Sequence, residues 1–177
     1  VEPEIVEYVA DHDVSDIVTM DYLSHWGISK RTFEFYKSPT KVVNGVPVSV
    51  GFPYETPQGD GYKIRQLSEK KFSSTPEMRR ATLFGKQFFP RGSKDQVIIT
   101  EGEKDALAAY EMLLGQAAVV SVRGGSSAFR DVKAERDYLI SFPKIVLCLD
   151  NDEVGLEGMN QIVKSGIFDY NILFRAW

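Results

Sequence analysis

The chain has 177 residues and one cysteine, Cys148, so it is long enough to bury a core as one domain or two small packed ones. It holds neither an internal disulfide nor a cysteine-built zinc site. No apolar run is long enough to span a bilayer, and a net charge of −4 argues against a strongly basic nucleic-acid binder. The opening residues, through Asp16, carry six acids and no Lys or Arg, unlike a secretory or transit leader; within them Glu2–Val9 reads as a short helix. Ser29 is placed to cap a helix running to about Phe35, with Phe33 and Tyr36 toward a small core. Val42-Val43, Asn44-Gly45 and Val46–Val50 read as a hairpin, because Asn-Gly tolerates positive φ. Tyr54–Gly61 reads as a loop or second turn, and Tyr62–Leu67 alternates like a half-buried strand. Ser73–Arg80 reads as a loop ending in two arginines, and Pro90–Asp95 as a turn.

From Gln96 the pattern changes. Val97–Thr100 is a short apolar run typical of a buried parallel strand. Glu103–Leu114 reads as a helix with Ala106, Leu107, Tyr110 and Leu113/Leu114 on one face, ended by Gly115. Ala117–Val122 is a second strand, and Asp131–Ile140 a helix. Lys144–Leu149 is a third strand, Glu153–Val163 a helix, and Asn171–Phe174 a fourth strand. The expected fold is α/β: a parallel sheet flanked by helices over 96–177, preceded by a smaller basic α+β subdomain over 1–95. Charge follows this division. Asp21–Asp95 holds thirteen Lys/Arg against seven Asp/Glu, and Gln96–Trp177 eight against twelve. A basic segment beside an acidic one suits a polyanion site beside a metal site.

Sites in open α/β sheets form at the carboxyl ends of strands. Two such ends are acidic here. The first strand ends in Thr100-Glu101-Gly102-Glu103, the third in Asp150-Asn151-Asp152-Glu153. Two carboxylates flanking one residue repel unless a cation lies between them, and hard oxygens favour Mg²⁺ or Mn²⁺. The structural alternatives are that Asp152 caps the next helix, with Glu153 favoured by its dipole. Glu101 and Asp105 are in the same way ordinary helix-start and helix-face acids in that reading.

The run Ile98–Ala106 followed by Leu149-Asp150-Asn151-Asp152-Glu153-Val154-Gly155 resembles the TOPRIM domain shared by topoisomerases, bacterial-type primases and some nucleases. Trp26–Thr32, Tyr62-Lys63-Ile64-Arg65 through Lys70-Lys71-Phe72, and Leu83-Phe84-Gly85-Lys86 resemble the primase half of phage bifunctional primase-helicases, the group that includes the mitochondrial helicase Twinkle. The resemblance covers roughly residues 20–175.

It implies a DNA primase core that joins ribonucleoside triphosphates into short RNA on a single-stranded DNA template. Glu101 would be a metal ligand or the base that activates the 3′-hydroxyl, and Asp150 and Asp152 would hold Mg²⁺ (or Mn²⁺). Asp105 would support them. Lys63, Arg65 and one of Lys70 or Lys71 would contact nucleotide phosphates or the RNA–DNA primer duplex, joined by Lys86. Arg123 and Gly124 open a loop where phosphate can approach the backbone. For any single lysine the structural alternative is a solvated strand face.

Three departures stand beside the resemblance. The zinc-binding domain is not in this chain. The helicase motor is absent, with no Gly-x-x-x-x-Gly-Lys-Ser/Thr loop. The further acid that the family carries after the fourth strand would follow Trp177. The expectation is therefore an excised, monomeric fragment whose parent supplies zinc-binding and helicase domains. Its expected location is the host cytoplasm, or a mitochondrion or other organelle. The competing readings are a non-catalytic nucleic-acid-binding TOPRIM module of a Twinkle-like helicase, and a TOPRIM nuclease that uses the same acids and metals.

Overall fold

The structure, a computed structural model, describes residues 16–176. The helix expected over Glu2–Val9 lies outside them. Five antiparallel strands form the first sheet in chain order: β1 (Val18–Asp21), β2 (Thr40–Val43), β3 (Val46–Thr56), β4 (Gly59–Gln66) and β5 (Phe72–Ser74). Helix α1 (Lys30–Phe35) joins β1 to β2. The hairpin turn falls on Asn44 and Gly45, at φ of 49° and 78°, the geometry that two-residue hairpins require.

Of the two readings of the Pro- and Gly-rich stretch from Tyr54 to Gly61, the structure has the second turn and not the loop. β3 continues to Thr56 and pairs with β4 down to Thr56↔Gly59, across a two-residue turn. Val50, Phe52 and Tyr54 alternate on the inner face and are at most 1% exposed; that burial outweighs the turn-like composition. Tyr62 and Ile64 face outward, whereas Lys63 and Arg65 pair with Phe52 and Val50 on the inner side. Ser73–Arg80 is also more ordered than its sequence suggests. It comprises the end of β5 and a 3₁₀ turn, Pro76–Arg80, that buries Met78.

The second sheet is wholly parallel. Its elements are β6 (Gln96–Thr100), α2 (Glu103–Met112), β7 (Ala118–Ser121), α3 (Ala128–Ala134), α4 (Arg136–Leu139), β8 (Lys144–Cys148), α5 (Glu153–Lys164) and β9 (Leu173–Arg175). The strand order is β7-β6-β8-β9. The helix expected over Asp131–Ile140 starts earlier and breaks at Glu135 into α3 and α4. Leu114 does not join the core. It follows the end of α2 at φ 51° and is 83% exposed.

The two sheets fall on either side of the Pro90–Asp95 turn, and one hydrophobic core runs through both. Tyr36 of the first part donates its hydroxyl to the Val119 carbonyl of β7 at 2.8 Å. Phe84 makes an antiparallel bridge to Ser121, with both backbone hydrogen bonds formed. Phe35 stacks on Tyr110 at 4.4 Å. These contacts set the inner face of the first sheet beside the carboxyl end of the second.

Candidate functional site

β6 and β8 are neighbours at the centre of the parallel sheet, in register Thr100↔Cys148. Their ends therefore bring Glu101 and Asp150 together. The Glu101 carboxylate accepts the Asp150 N–H at 3.1 Å. Two glycines make room for it. A Cβ on Gly125 would lie 2.6 Å from Glu101 Oε1, and one on Gly155 would lie 2.7 Å from Oε2 and 2.2 Å from the Asp150 carbonyl oxygen. At Gly155 no side chain fits without moving backbone, whereas at Gly125 a side chain would have to displace the Glu101 carboxylate.

Loss of water around Glu101 raises its pKa above the ordinary glutamate value. The Asp150 N–H opposes that shift, and the charges of Asp150 and Asp152 add to it. Asp105 is likewise raised, first by desolvation; Lys104 pulls it down, Asp150 pushes it up and Arg65 pulls it down. The acids are thus close enough to feel one another, and their mutual repulsion adds to a shift that desolvation dominates. Asp150 makes no side-chain hydrogen bond or ion pair among the described residues. Asp152 is different: it caps α5, accepting the Gly155 N–H at 2.9 Å. Cys148 is exposed at the β8 end, and its thiol pKa is raised first by partial desolvation and then by the charges of Asp105 and Asp150.

Among the described residues no set of three His, Cys, Asp or Glu side chains is gathered tightly enough to hold a metal by itself. The donors nonetheless fit a hard divalent cation. They are carboxylate oxygens, and neither Glu101 nor Asp150 is paired with a lysine or arginine. Mg²⁺ usually keeps several waters and takes only one or two carboxylates besides substrate phosphates.

Across the acids lies a cleft of about 400 Å³ whose other wall is basic. Lys63, Arg65, Lys70 and Arg123 line it together with Glu101, Asp105 and Asp150. Two of the cations are already engaged. The Lys63 ammonium sits 2.9 Å from Glu103 Oε1 and donates to the Arg123 carbonyl at 2.8 Å. The Arg123 guanidinium donates to both oxygens of buried Asp131, at 3.1 and 2.7 Å. Arg65 contacts rings rather than carboxylates, and Lys70 has no ion-pair or hydrogen-bond partner among the described residues.

Two expected residues are not brought to the cleft. Lys71 is exposed and paired with Glu69 at 2.9 Å. Lys86 donates to Glu135 at 2.7 Å and lies over the Tyr138 ring. It follows Gly85, whose φ of 82° turns the chain away toward α4.

Glu103 is the residue that spacing alone did not reveal. It is 3% exposed and accepts from Lys63 and from the Tyr54 hydroxyl. In the sequence it is one of several acids at a helix start. Both of its partners lie on the first sheet, so nothing local marks it.

Comparison with known proteins agrees with this fold. Residues 95–175 match the Toprim domain. The DNA helicase/primase of Enterobacteria phage T3 is 32% identical over 100 residues, which are 56% of this chain and 17% of that protein. The chain thus spans less than a fifth of that relative. The primase fragment of the bacteriophage T7 primase-helicase protein superposes with a TM-score of 0.76 at 28% identity, over 89% of this chain and 65% of that one. A structure of the bacteriophage T7 lagging-strand DNA polymerase interacting with primase domains bound to an RNA/DNA hybrid matches at a TM-score of 0.75 and 27% identity, over 92% of this chain and 81% of that one. Residues 95–175 are a Toprim domain, and the chain that carries them is homologous to the phage DNA helicase/primases.

Proposed function

We propose that the chain is a DNA primase core, which joins ribonucleoside triphosphates into short RNA on a single-stranded DNA template. The observation that carries this reading is the facing of Glu101, Asp105 and Asp150 by Arg65 and Lys70 across one cleft. Phosphoryl transfer needs little covalent help from protein; it needs positioning and neutralisation of charge. Glu101 and Asp150 would hold Mg²⁺ or Mn²⁺, with Asp152 joining if it leaves its cap. The bound ion would supply charge neutralisation at the triphosphate and the leaving pyrophosphate. Arg65 and Lys70 would hold phosphates of the nucleotide or of the primer duplex. The backbone at Gly124 leaves the loop open to a phosphate, since nothing lies within 4 Å of a Cβ placed there. Asp105, whose proton is held more tightly than usual, would support the acid pair.

In this reading the parent protein adds zinc-binding and helicase domains, and it works in the cytoplasm of an infected host. No helix among the described residues is long and apolar enough to cross a membrane. A second reading, a non-catalytic nucleic-acid-binding module, is favoured by one observation: Asp152, Lys63 and Arg123 are already paired within the protein.

The test uses the chain joined to its flanking domains, with single-stranded DNA, ribonucleoside triphosphates and Mg²⁺ or Mn²⁺. Short oligoribonucleotides are expected, and Glu101→Gln or Asp150→Asn should abolish them while leaving the protein folded. Templated synthesis at the unaltered rate by either variant overturns the assignment. DNA binding with no synthesis by any form supports the binding module, and nicking of DNA without added nucleotides supports a nuclease.

A further inference from the structure

We infer that Trp26, Arg65 and Phe72 form a stacking platform for an unpaired nucleobase at the rim of the acidic cleft. The inference rests on the nucleic-acid reading of that cleft and adds to it two rings, Trp26 and Phe72, that no phosphate contact requires. Three separate elements contribute: the turn before α1, β4 and β5. The Arg65 guanidinium lies 4.9 Å from the Trp26 ring centroid and 5.6 Å from that of Phe72. Lys63 adds a second cation, 5.0 Å from the Phe72 ring. Arg65 and Phe72 are register partners on β4 and β5, so their side chains share one face.

Both rings remain open to solvent. Trp26 is 38% exposed and Phe72 46%, although large aromatics ordinarily gain by burial. Phe72 sits on a three-residue strand that is exposed along its whole length. Trp26 does not swing freely. It lies at φ 53° in a turn closed by the His25↔Ile28 bridge, and its ring packs against His25 at 5.7 Å and Phe33 at 6.2 Å. Its orientation is therefore paid for by folding rather than by binding.

Partly exposed aromatic rings interleaved with cations beside a charged groove are what single-stranded nucleic acid meets in sequence-tolerant binding sites. A base laid on the Phe72 ring would sit in the cleft that Arg65 and Lys70 also line. Arg65 is suited to both tasks, because its planar face stacks while its edge still donates hydrogen bonds. Duplex DNA does not offer this contact, since its base faces are already covered by neighbouring bases. If instead the two rings only shelter the Arg65 stem, their loss would change stability and leave binding untouched.

The test is tryptophan fluorescence in the Trp177→Phe protein, in which Trp26 is the only tryptophan. Oligothymidylate should quench it, and a blunt duplex of the same length should not. Trp26→Leu and Phe72→Leu, checked for unchanged melting, should each weaken oligothymidylate binding about tenfold by anisotropy. ATP titrated alone distinguishes the source: quenching by ATP assigns the ring to the base of a free nucleotide, and quenching by the oligonucleotide alone to a base of the strand. Absence of quenching by both, with both leucine variants binding as the unaltered protein does, overturns the platform. Glu101→Gln is run in parallel to separate the two readings. Platform-dependent binding with no RNA synthesis by any form keeps the platform and sinks the primase assignment. Synthesis that is normal in both leucine variants, with unaltered binding, does the reverse.

Discussion

Lys63 and Glu103 join the two sheets through a largely buried ion pair, with the Lys63 ammonium 2.9 Å from a carboxylate that opens α2. The Tyr54 hydroxyl donates to the same carboxylate at 2.5 Å. The ammonium also donates to Glu103 Oε2 at 3.1 Å and to the Arg123 carbonyl at 2.8 Å. Lys63 therefore does structural work at the cleft wall before any phosphate arrives. Breaking such a pair by removing one partner leaves a buried charge uncompensated. Lys63→Met should lower stability by about 3 kcal/mol, measured by urea unfolding. Adding Glu103→Gln should restore much of the loss, because the remaining group is then neutral. A Lys63→Met protein with the unaltered urea midpoint would show that the pair is not coupled to folding.

The acid cluster predicts a pH dependence of opposite sign to that of a salt-bridged carboxylate. Glu101 and Asp105 have folded pKa values above their ordinary ones. Their contribution to stability is therefore fully present below the unfolded pKa and is lost as pH rises through the folded value. Ionisation of either acid is disfavoured by its surroundings, and a bound cation would offset that cost. Millimolar Mg²⁺ should raise the melting temperature at neutral pH. The gain should vanish as pH falls into the carboxylate range, and Asp150→Asn should remove most of it at every pH. An equal gain in the Asp150→Asn protein would count against a metal at these residues.

Substitutions at Gly155 and Gly125 should separate folding from the proposed metal binding. At Gly155 the new Cβ would meet backbone, the Asp150 carbonyl oxygen at 2.2 Å. Gly155→Ala should therefore destabilise the fold by roughly 2 kcal/mol or more. At Gly125 the nearest atoms are side-chain ends, Glu101 Oε1 at 2.6 Å and Val154 Cγ1 at 2.9 Å. Gly125→Ala should fold but displace the Glu101 carboxylate, weakening Mg²⁺ binding by calorimetry. Normal Mg²⁺ affinity in folded Gly125→Ala would mean that Glu101 does not hold the ion in this pose.

Glu111 tests a second contact between the two parts of the chain. Its carboxylate receives the Thr32 hydroxyl at 2.6 Å and the Ser29 N–H and hydroxyl at 2.8 and 2.9 Å. The Thr32 hydrogen bond is the main cause of its lowered pKa. A depressed carboxylate stabilises above its unfolded pKa and loses that contribution as pH falls through the folded value. Glu111→Ala should cost about 1 kcal/mol at neutral pH, and the difference from the unaltered protein should shrink on acidification. A pH-independent difference would assign the loss to packing instead.

Much of this was legible along the chain. Apolar runs of strand length at Val97, Ala117 and Lys144, alternating with helical spacing, are enough for a parallel sheet, because only buried strands are apolar on both faces. Glu101 and Asp150 were legible for the same reason, since strand ends are where such sheets open. Pairing across long separations was not. The extension of β3 through Pro53 and Tyr54 depends on what Tyr54 meets in the other half, and the Lys63–Glu103 pair joins residues forty positions apart. Lys86 shows the converse: a lysine in a family-like block whose side chain is carried to Glu135 by the positive φ of the preceding glycine. By itself, then, the sequence determined the strand–helix order and the acids at two strand ends, which are local matters of periodicity and spacing. Only the tertiary structure decided that β6 and β8 lie side by side, that Arg65 is sandwiched by Trp26 and Phe72, and which cations are free to meet a phosphate, because each depends on the packing of one sheet against the other.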